Sequence, residues 1–266
     1  MRVVNMNILN CFKLSGKTAL VAIPEGPYGR AAALALCEAG AKVYLASDDM
    51  EAAGNNAEEI KNEGFRVTAI EYDPSSEKSI NELRDTVIKE SGKLDIFVLN
   101  AGERFSGGWS SGSAGELLEN LKKNQIGTML STRILGNAIA ENNAGSVIFI
   151  TSVYALVGPD RHNSAQCLEM EDYDFSLDRV FTAGGYVNYA RQAASYLGQY
   201  NVRVNSICAA PLAKPEKYAG QFARHTTLLR NAAESDIKGL VVYLASDASA
   251  FVTGTSIPVD GGYVAK

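Results

Sequence analysis

The sequence predicts an α/β protein built on a mainly parallel, seven-stranded sheet wound by helices on both faces. Short apolar runs alternate with longer amphipathic ones from end to end, and several short runs are apolar on both faces, as a covered parallel sheet requires. No stretch rich in Pro, Gly or Ser divides the chain and no repeat recurs, so residues 1–266 read as a single doubly wound domain.

In order, the first strand is 18–23, apolar after Thr18, and the Ala- and Leu-rich run 28–39 is the first helix. Strand 42–46 leads to a mixed helical pattern at 48–62, and strand 66–72 to another at 77–91. The apolar run 95–99 is the fourth strand, and the long pattern 115–142 is one continuous helix. Strand 146–151, helix 184–199, strand 202–208, helix 234–245 and strand 256–259 complete the alternation.

Two segments break the rhythm. Residues 102–115 hold five glycines, several serines and Trp109, and read as a mobile loop leaving the carboxyl end of the fourth strand, where open α/β sheets bind ligands. The stretch 154–178, rich in Asp and Glu, is long for a connection after the fifth strand, and it should overhang the same edge.

Composition narrows the function. With 25 Lys and Arg against 30 Asp and Glu the net charge is −5, so there is no electrostatic footprint for a nucleic-acid partner. Asn5, Asn7 and Asn10 interrupt the amino-terminal apolar residues, which excludes the h-region of a signal peptide, and no run is long enough to span a bilayer. Cys11, Cys37, Cys167 and Cys208 are far apart and lack ligand spacing, which fits reduced thiols in a cytoplasm. His162 and His225 make no metal site or triad, and both read as solvated loop residues.

Several short motifs stand in a fixed order: Leu99-Asn100-Ala101-Gly102 after the fourth strand, Asp73 after the third, and Asn124-Gln125-Ile126-Gly127 in the long helix. Ile150-Thr151-Ser152 ends the fifth strand, Arg203-Val204-Asn205 enters the sixth, and Thr253-Gly254 with Val259-Asp260-Gly261-Gly262 closes the chain. This set resembles the short-chain dehydrogenase/reductase family over nearly the full length, which implies a Rossmann-type fold, a nicotinamide dinucleotide, and dimers or tetramers.

The resemblance also shows departures. It implies a turn T-G-x-x-x-G-x-G for the pyrophosphate, whose positions here hold Ala22, Ile23, Pro27 and Gly29. A β-branched Ile disfavours such a turn and Pro27 has no N–H, unless the loop is shifted and Gly26 substitutes. It implies a Ser for the substrate oxygen, a Tyr for the proton and a Lys four residues later. Ser152 and Asn124 keep their places, whereas counting back from Arg203 puts Ala183 at the Lys and Arg179 at the Tyr. Tyr186 and Tyr189 lie on later turns and read as packing residues. Ala209-Ala210-Pro211 replaces the P-G of the nicotinamide loop, and Ser47, followed by Asp48 and Asp49, stands where an acid would hold the ribose.

These departures lead to the expectation of a pseudoenzyme: no catalytic or cofactor-binding residues, with Ser152, Asn124, Gly29, Asp73 and Asn100 vestigial, and no cofactor in this chain. Such a chain would be a structural or regulatory subunit of a hetero-oligomeric NAD-dependent alcohol dehydrogenase, in a dimer or tetramer with an active paralogue that carries NAD. The pattern of losses resembles the inactive subunit of the two-subunit hydroxyacyl-CoA dehydrogenase of anaerobic toluene breakdown. The alternatives are an active oxidoreductase or changed-chemistry enzyme of the same fold, and a nucleotide-sensing regulator. A halohydrin-dehalogenase-like Ser, Tyr and Arg set fails because Phe175 stands four residues before Arg179.

Overall fold

A computed structural model describes residues 7–23, 25–100, 108–159, 176–212 and 219–265. Seven strands form one parallel sheet: β1 (Thr18–Ala22), β2 (Lys42–Ser47), β3 (Val67–Glu71), β4 (Ile96–Asn100), β5 (Gly145–Ser152), β6 (Val202–Ala209) and β7 (Ser256–Val259). Their order is β3-β2-β1-β4-β5-β6-β7, so the winding reverses between β1 and β4 and opens a crevice at their carboxyl ends.

Alternate residues of each strand feed two separate cores, because strand side chains point to opposite faces. Ala19, Val21, Val98, Ile148 and Ile207 pack on one side, against helix α1 (Pro27–Glu38) and, near the end of the chain, residues 238–245. Leu20, Phe97, Phe149 and Val204 pack on the other, against α3 (Glu77–Ser91) and further helices described next. Helix α2 (Met50–Asn62) adds Ala57 and Ile60 to the first core. Burial on both faces explains the near-continuous apolar runs of the central strands.

The predicted single helix over 115–142 is α4 (Ala114–Leu121) and α5 (Gly127–Ala140), joined by a π turn over Lys122–Ile126 that holds Asn124 buried. The helix predicted from 184 begins five residues earlier, as α6 (Arg179–Leu197), which brings Arg179 and Ala183 onto the first turns of a helix packed on β5 and β6. A short α7 (Ala219–Arg224) was not predicted, and the last predicted helix divides into a 3-10 turn (Glu234–Ile237) and α8 (Lys238–Ala245). Strand bounds differ from expectation by one residue or none. Much of the loops predicted at 102–115 and 154–178 lies outside the described residues, as do His162, Cys167 and Phe175.

Two motifs serve the architecture. The Arg203 guanidinium donates to the carbonyls of Leu244 (2.8 Å) and Ser246 (3.1 Å) and to the Ser249 hydroxyl (2.6 Å), while the Asn205 side chain donates to Val252 O and accepts from Thr255 N. They fasten β6 to the segment that enters β7. Asp260 accepts from the amides of Gly262 and Val264 and fixes the final turn.

Candidate active site

The crevice at the carboxyl ends of the strands has a volume of about 430 Å³. The β1–α1 turn (Glu25, Tyr28) and Asn100 line one side, Thr151 and Ser152 the floor, and Arg179, Ala183 and Tyr186 the opposite wall. Tyr28 closes one end, donating its phenol to Ala210 O at 2.8 Å and so tying α1 to the segment after β6.

Ser152, Arg179 and Ala183, the positions singled out by spacing, line the same crevice. Ser152 ends β5 and its hydroxyl accepts from Tyr154 N at 3.2 Å, which caps a short 3-10 turn. Arg179 is the first residue of α6, lines the crevice, and holds its guanidinium carbon 5.9 Å from the centre of the Tyr154 ring. Ala183 follows one turn later, buried. Asn124 lies beneath, and its carbonyl accepts from Thr128 Oγ1 and from the Tyr186 phenol. Burial pushes the Tyr186 phenol up to about 12, so at neutral pH it is a proton-bearing donor and no base. Tyr186 and Tyr189 both pack on Phe149. Sequence reasoning passed over Thr151, whose hydroxyl is buried on the floor with no partner among the described residues. Its position beside Ser152 was the available signal.

The pyrophosphate turn corrects the sequence argument. Ile23 has a positive φ (57°) in spite of its branched side chain, at a cost of about 1–2 kcal/mol, and Gly26 takes an extended positive-φ conformation (φ 77°, ψ 162°) that glycine alone adopts readily. The compensation is structural: Ile23 N donates to Ala46 O, and the Asn100 side-chain amide donates to the carbonyls of Ile23 (3.1 Å) and Glu25 (3.0 Å). Pro27 is the first residue of α1, where its missing N–H costs no helical bond. Arg30 N bonds Gly26 O, which leaves the Tyr28 and Gly29 amides of the first turn directed at the crevice end as anion donors. The start of α1 therefore keeps two amide donors in spite of the substituted glycines.

Near the ribose position, the Ser47 hydroxyl donates to the Glu25 carboxylate. Asp48 pairs with Lys123 at 3.1 Å and Asp49 caps α2 through Ala52 N, so neither replaces the expected acid, whereas Glu25 reaches that place from the turn. Asp73 accepts from Ser75 in the turn before α3, a structural role. The residues thus fit a dinucleotide at its pyrophosphate and first ribose. Where the resemblance expects a Lys for the second ribose, Ala183 offers no donor. Among the described residues no group of three or more His, Cys, Asp or Glu is placed to hold a metal.

Comparison with known proteins agrees with this geometry. The family profile described as short chain dehydrogenase matches residues 17–164, and one described as enoyl-(acyl carrier protein) reductase matches residues 182–264. The chain belongs to the short-chain dehydrogenase family. It is similar to an NADP-dependent mannitol dehydrogenase of Hypocrea jecorina, 29% identical over 97% of this chain and 96% of that one. A 7alpha-hydroxysteroid dehydrogenase of Clostridium sardiniense is 28% identical over 94% of each. The crystal structure of a short-chain type dehydrogenase/reductase from Mycobacterium marinum superposes with a TM-score of 0.85, at 26% identity, over 98% of this chain and 100% of that one.

These relatives overturn the expectation of a non-catalytic subunit of a hetero-oligomeric alcohol dehydrogenase. This short-chain dehydrogenase aligns end to end with chains named as dehydrogenases in their own right. The comparisons point neither to a degenerate subunit nor to the toluene pathway.

Proposed function

We propose that the protein is an oxidoreductase that interconverts a secondary alcohol and its ketone, with a nicotinamide dinucleotide as cofactor and the Ser152–Arg179 crevice as its reacting centre. The carrying observation is the convergence of Ser152 and Arg179 in one crevice, beside an intact anion-binding helix start. Relatives named for mannitol, 7alpha-hydroxysteroid and rhamnose dehydrogenation support the reaction class.

The amides of Tyr28 and Gly29 would hold the pyrophosphate and Glu25 with Ser47 the adenosine ribose. The dinucleotide, when bound, supplies the hydride acceptor. Ser152 donates a hydrogen bond from its hydroxyl to the substrate oxygen, keeping its own proton, and fixes that oxygen at the end of β5. Arg179 keeps the wall positively charged, which favours negative charge on that oxygen, but a guanidinium does not take the proton, so the proton leaves to water. Tyr186, buried and donating to Asn124 O, orients the π turn beneath the site and transfers no proton.

Exposed apolar side chains on α4, α5 and α6, among them Leu118, Met129 and Phe181, suit a second copy of this chain, so the assembly proposed is a homo-oligomer. Among the described residues no helix is long and apolar enough to cross a membrane, and Cys11, Cys37 and Cys208 are free thiols, which supports a cytoplasmic setting.

The test is to incubate the full chain with NAD⁺ or NADP⁺ and a panel of polyols, sugars, hydroxysteroids, cyclic alcohols and hydroxy acids, following reduced nicotinamide. Turnover with at least one class, lowered about a hundredfold or more in Ser152→Ala, is the expected result. Absence of turnover with every class, together with absence of dinucleotide binding by calorimetry, overturns the reading.

A further inference from the structure

We propose that the Tyr28 side chain bars the nicotinamide half of the crevice, so that a dinucleotide must break the Tyr28–Ala210 hydrogen bond to seat its nicotinamide ring, whereas ADP binds without breaking it. This rests on the dinucleotide reading above, and it gives Tyr28 a part in choosing between ligands that share the adenosine diphosphate half.

The direction of the ligand follows from the sheet order. Ser47 ends β2 on one side of β1, and β4, β5 and β6 follow on the other side. With the adenosine ribose at Ser47 and the pyrophosphate at the start of α1, the rest of a dinucleotide runs toward the ends of β5 and β6, where Ser152 stands. Tyr28 is the second residue of α1, so its amide lies at the pyrophosphate position while its side chain takes the same course as the ligand. The phenol donates to Ala210 O, just past the end of β6, at 2.8 Å. Tyr28, Ala209 and Ala210 all line the crevice, so the ring occupies ground that a nicotinamide needs in order to reach Ser152.

The acceptor is the fixed member of the pair. Ala210 is 1% exposed, its N–H donates to Val259 O on β7 at 3.0 Å, and two residues later Leu212 bridges to Ala232. Tyr28 is the member that can yield, because its side chain can change rotamer on a backbone that α1 holds. Burial, and then the charges of Asp236 and Glu234, push its phenol above the ordinary value, so both carboxylates lie in the phenol's neighbourhood. Arg230 pairs with Asp236 and Arg30 with Glu234, each at 2.6 Å, and a carboxylate so paired keeps lone pairs for another donor. Displacement from Ala210 therefore costs at most about one hydrogen bond, small enough for a bound dinucleotide to overcome.

The experiment is calorimetric titration of the full chain, as wild type and as Tyr28→Phe, with ADP and with NAD⁺ separately. The variant loses the hydrogen bond and keeps the backbone amide. The ratio of NAD⁺ affinity to ADP affinity should rise about three- to tenfold in Tyr28→Phe. Tyr28→Leu should move the ratio in the same direction and serves as the informative variant if Tyr28→Phe does not fold by circular dichroism. A ratio that is unchanged, or that falls because the phenol supports the bound dinucleotide, overturns the inference and leaves the dinucleotide reading in place. NAD⁺ refused by all three proteins while ADP binds also overturns it. Binding of neither ligand to any of them overturns the dinucleotide reading and this inference together.

Discussion

Asn100→Ala should destabilise the protein through the turn, 77 residues away in sequence, that Asn100 braces. The Asn100 amide makes two hydrogen bonds, to Ile23 O at 3.1 Å and Glu25 O at 3.0 Å, and the residue is 7% exposed. Each such bond contributes about 0.5–1.5 kcal/mol net, so removing both costs about 1–3 kcal/mol. The left-handed strain at Ile23 adds to this loss, since it persists only while its surroundings hold it. At about 2–4 °C per kcal/mol for a chain of this size, the melting temperature should fall by roughly 2–12 °C. Asn100→Asp is the sharper test: it has nearly the same shape but sets a carboxylate against two carbonyl oxygens, so it should be worse than Ala. The assay is urea unfolding followed by circular dichroism, with calorimetric melting as a check. An Asn100→Ala melting temperature within about 1 °C of wild type, or Asn100→Asp more stable than Asn100→Ala, would refute the bracing argument.

Three further outcomes follow from the same geometry. Arg203→Met removes three donors from the carbonyls and hydroxyl that bind β6 to the end of the chain, and should cost about 2–4 kcal/mol in urea unfolding. Gly145→Ala sets a methyl 2.0 Å from Ile139 Cγ2 and 2.8 Å from Asp95 O at the start of β5, so expression or melting temperature should drop sharply, with about 1–3 kcal/mol or more lost. Burial pushes the Cys37 thiol up to about 12 and the Cys208 thiol up to about 11, so neither should react with a maleimide at neutral pH until the chain unfolds, as peptide mass mapping would show. Because both stay protonated in the native state while unfolded thiols ionise near pH 8.5, stability should be fully present below that pH. It should fall as pH rises through the native values, by at most about 1.4 kcal/mol per pH unit for each thiol. Unfolding free energy that is flat between about pH 8.5 and 10.5 would contradict this.

The sequence by itself determined the architecture and the sites of departure. Doubly apolar strands such as Ile96–Asn100 can be buried only between two helical layers. The twenty-residue spacing from Arg203 placed Ala183 and Arg179, and α6 runs without interruption from Arg179 to Leu197. What the sequence did not determine was the meaning of those departures. Ile23 and Pro27 disfavour a nucleotide turn by local propensity, yet Ile23 takes a positive φ and α1 starts at Pro27, because the donors that hold Ile23 and Glu25 come from Asn100 on another strand and propensity yields to tertiary bonds. Likewise Glu25 reaches Ser47 and Tyr28 reaches Ala210 only once β1, β2 and β6 are assembled. Periodicity and spacing are properties of neighbours along the chain and could be read there. The crevice is made of contacts between residues up to 182 positions apart, which only the folded sheet brings together.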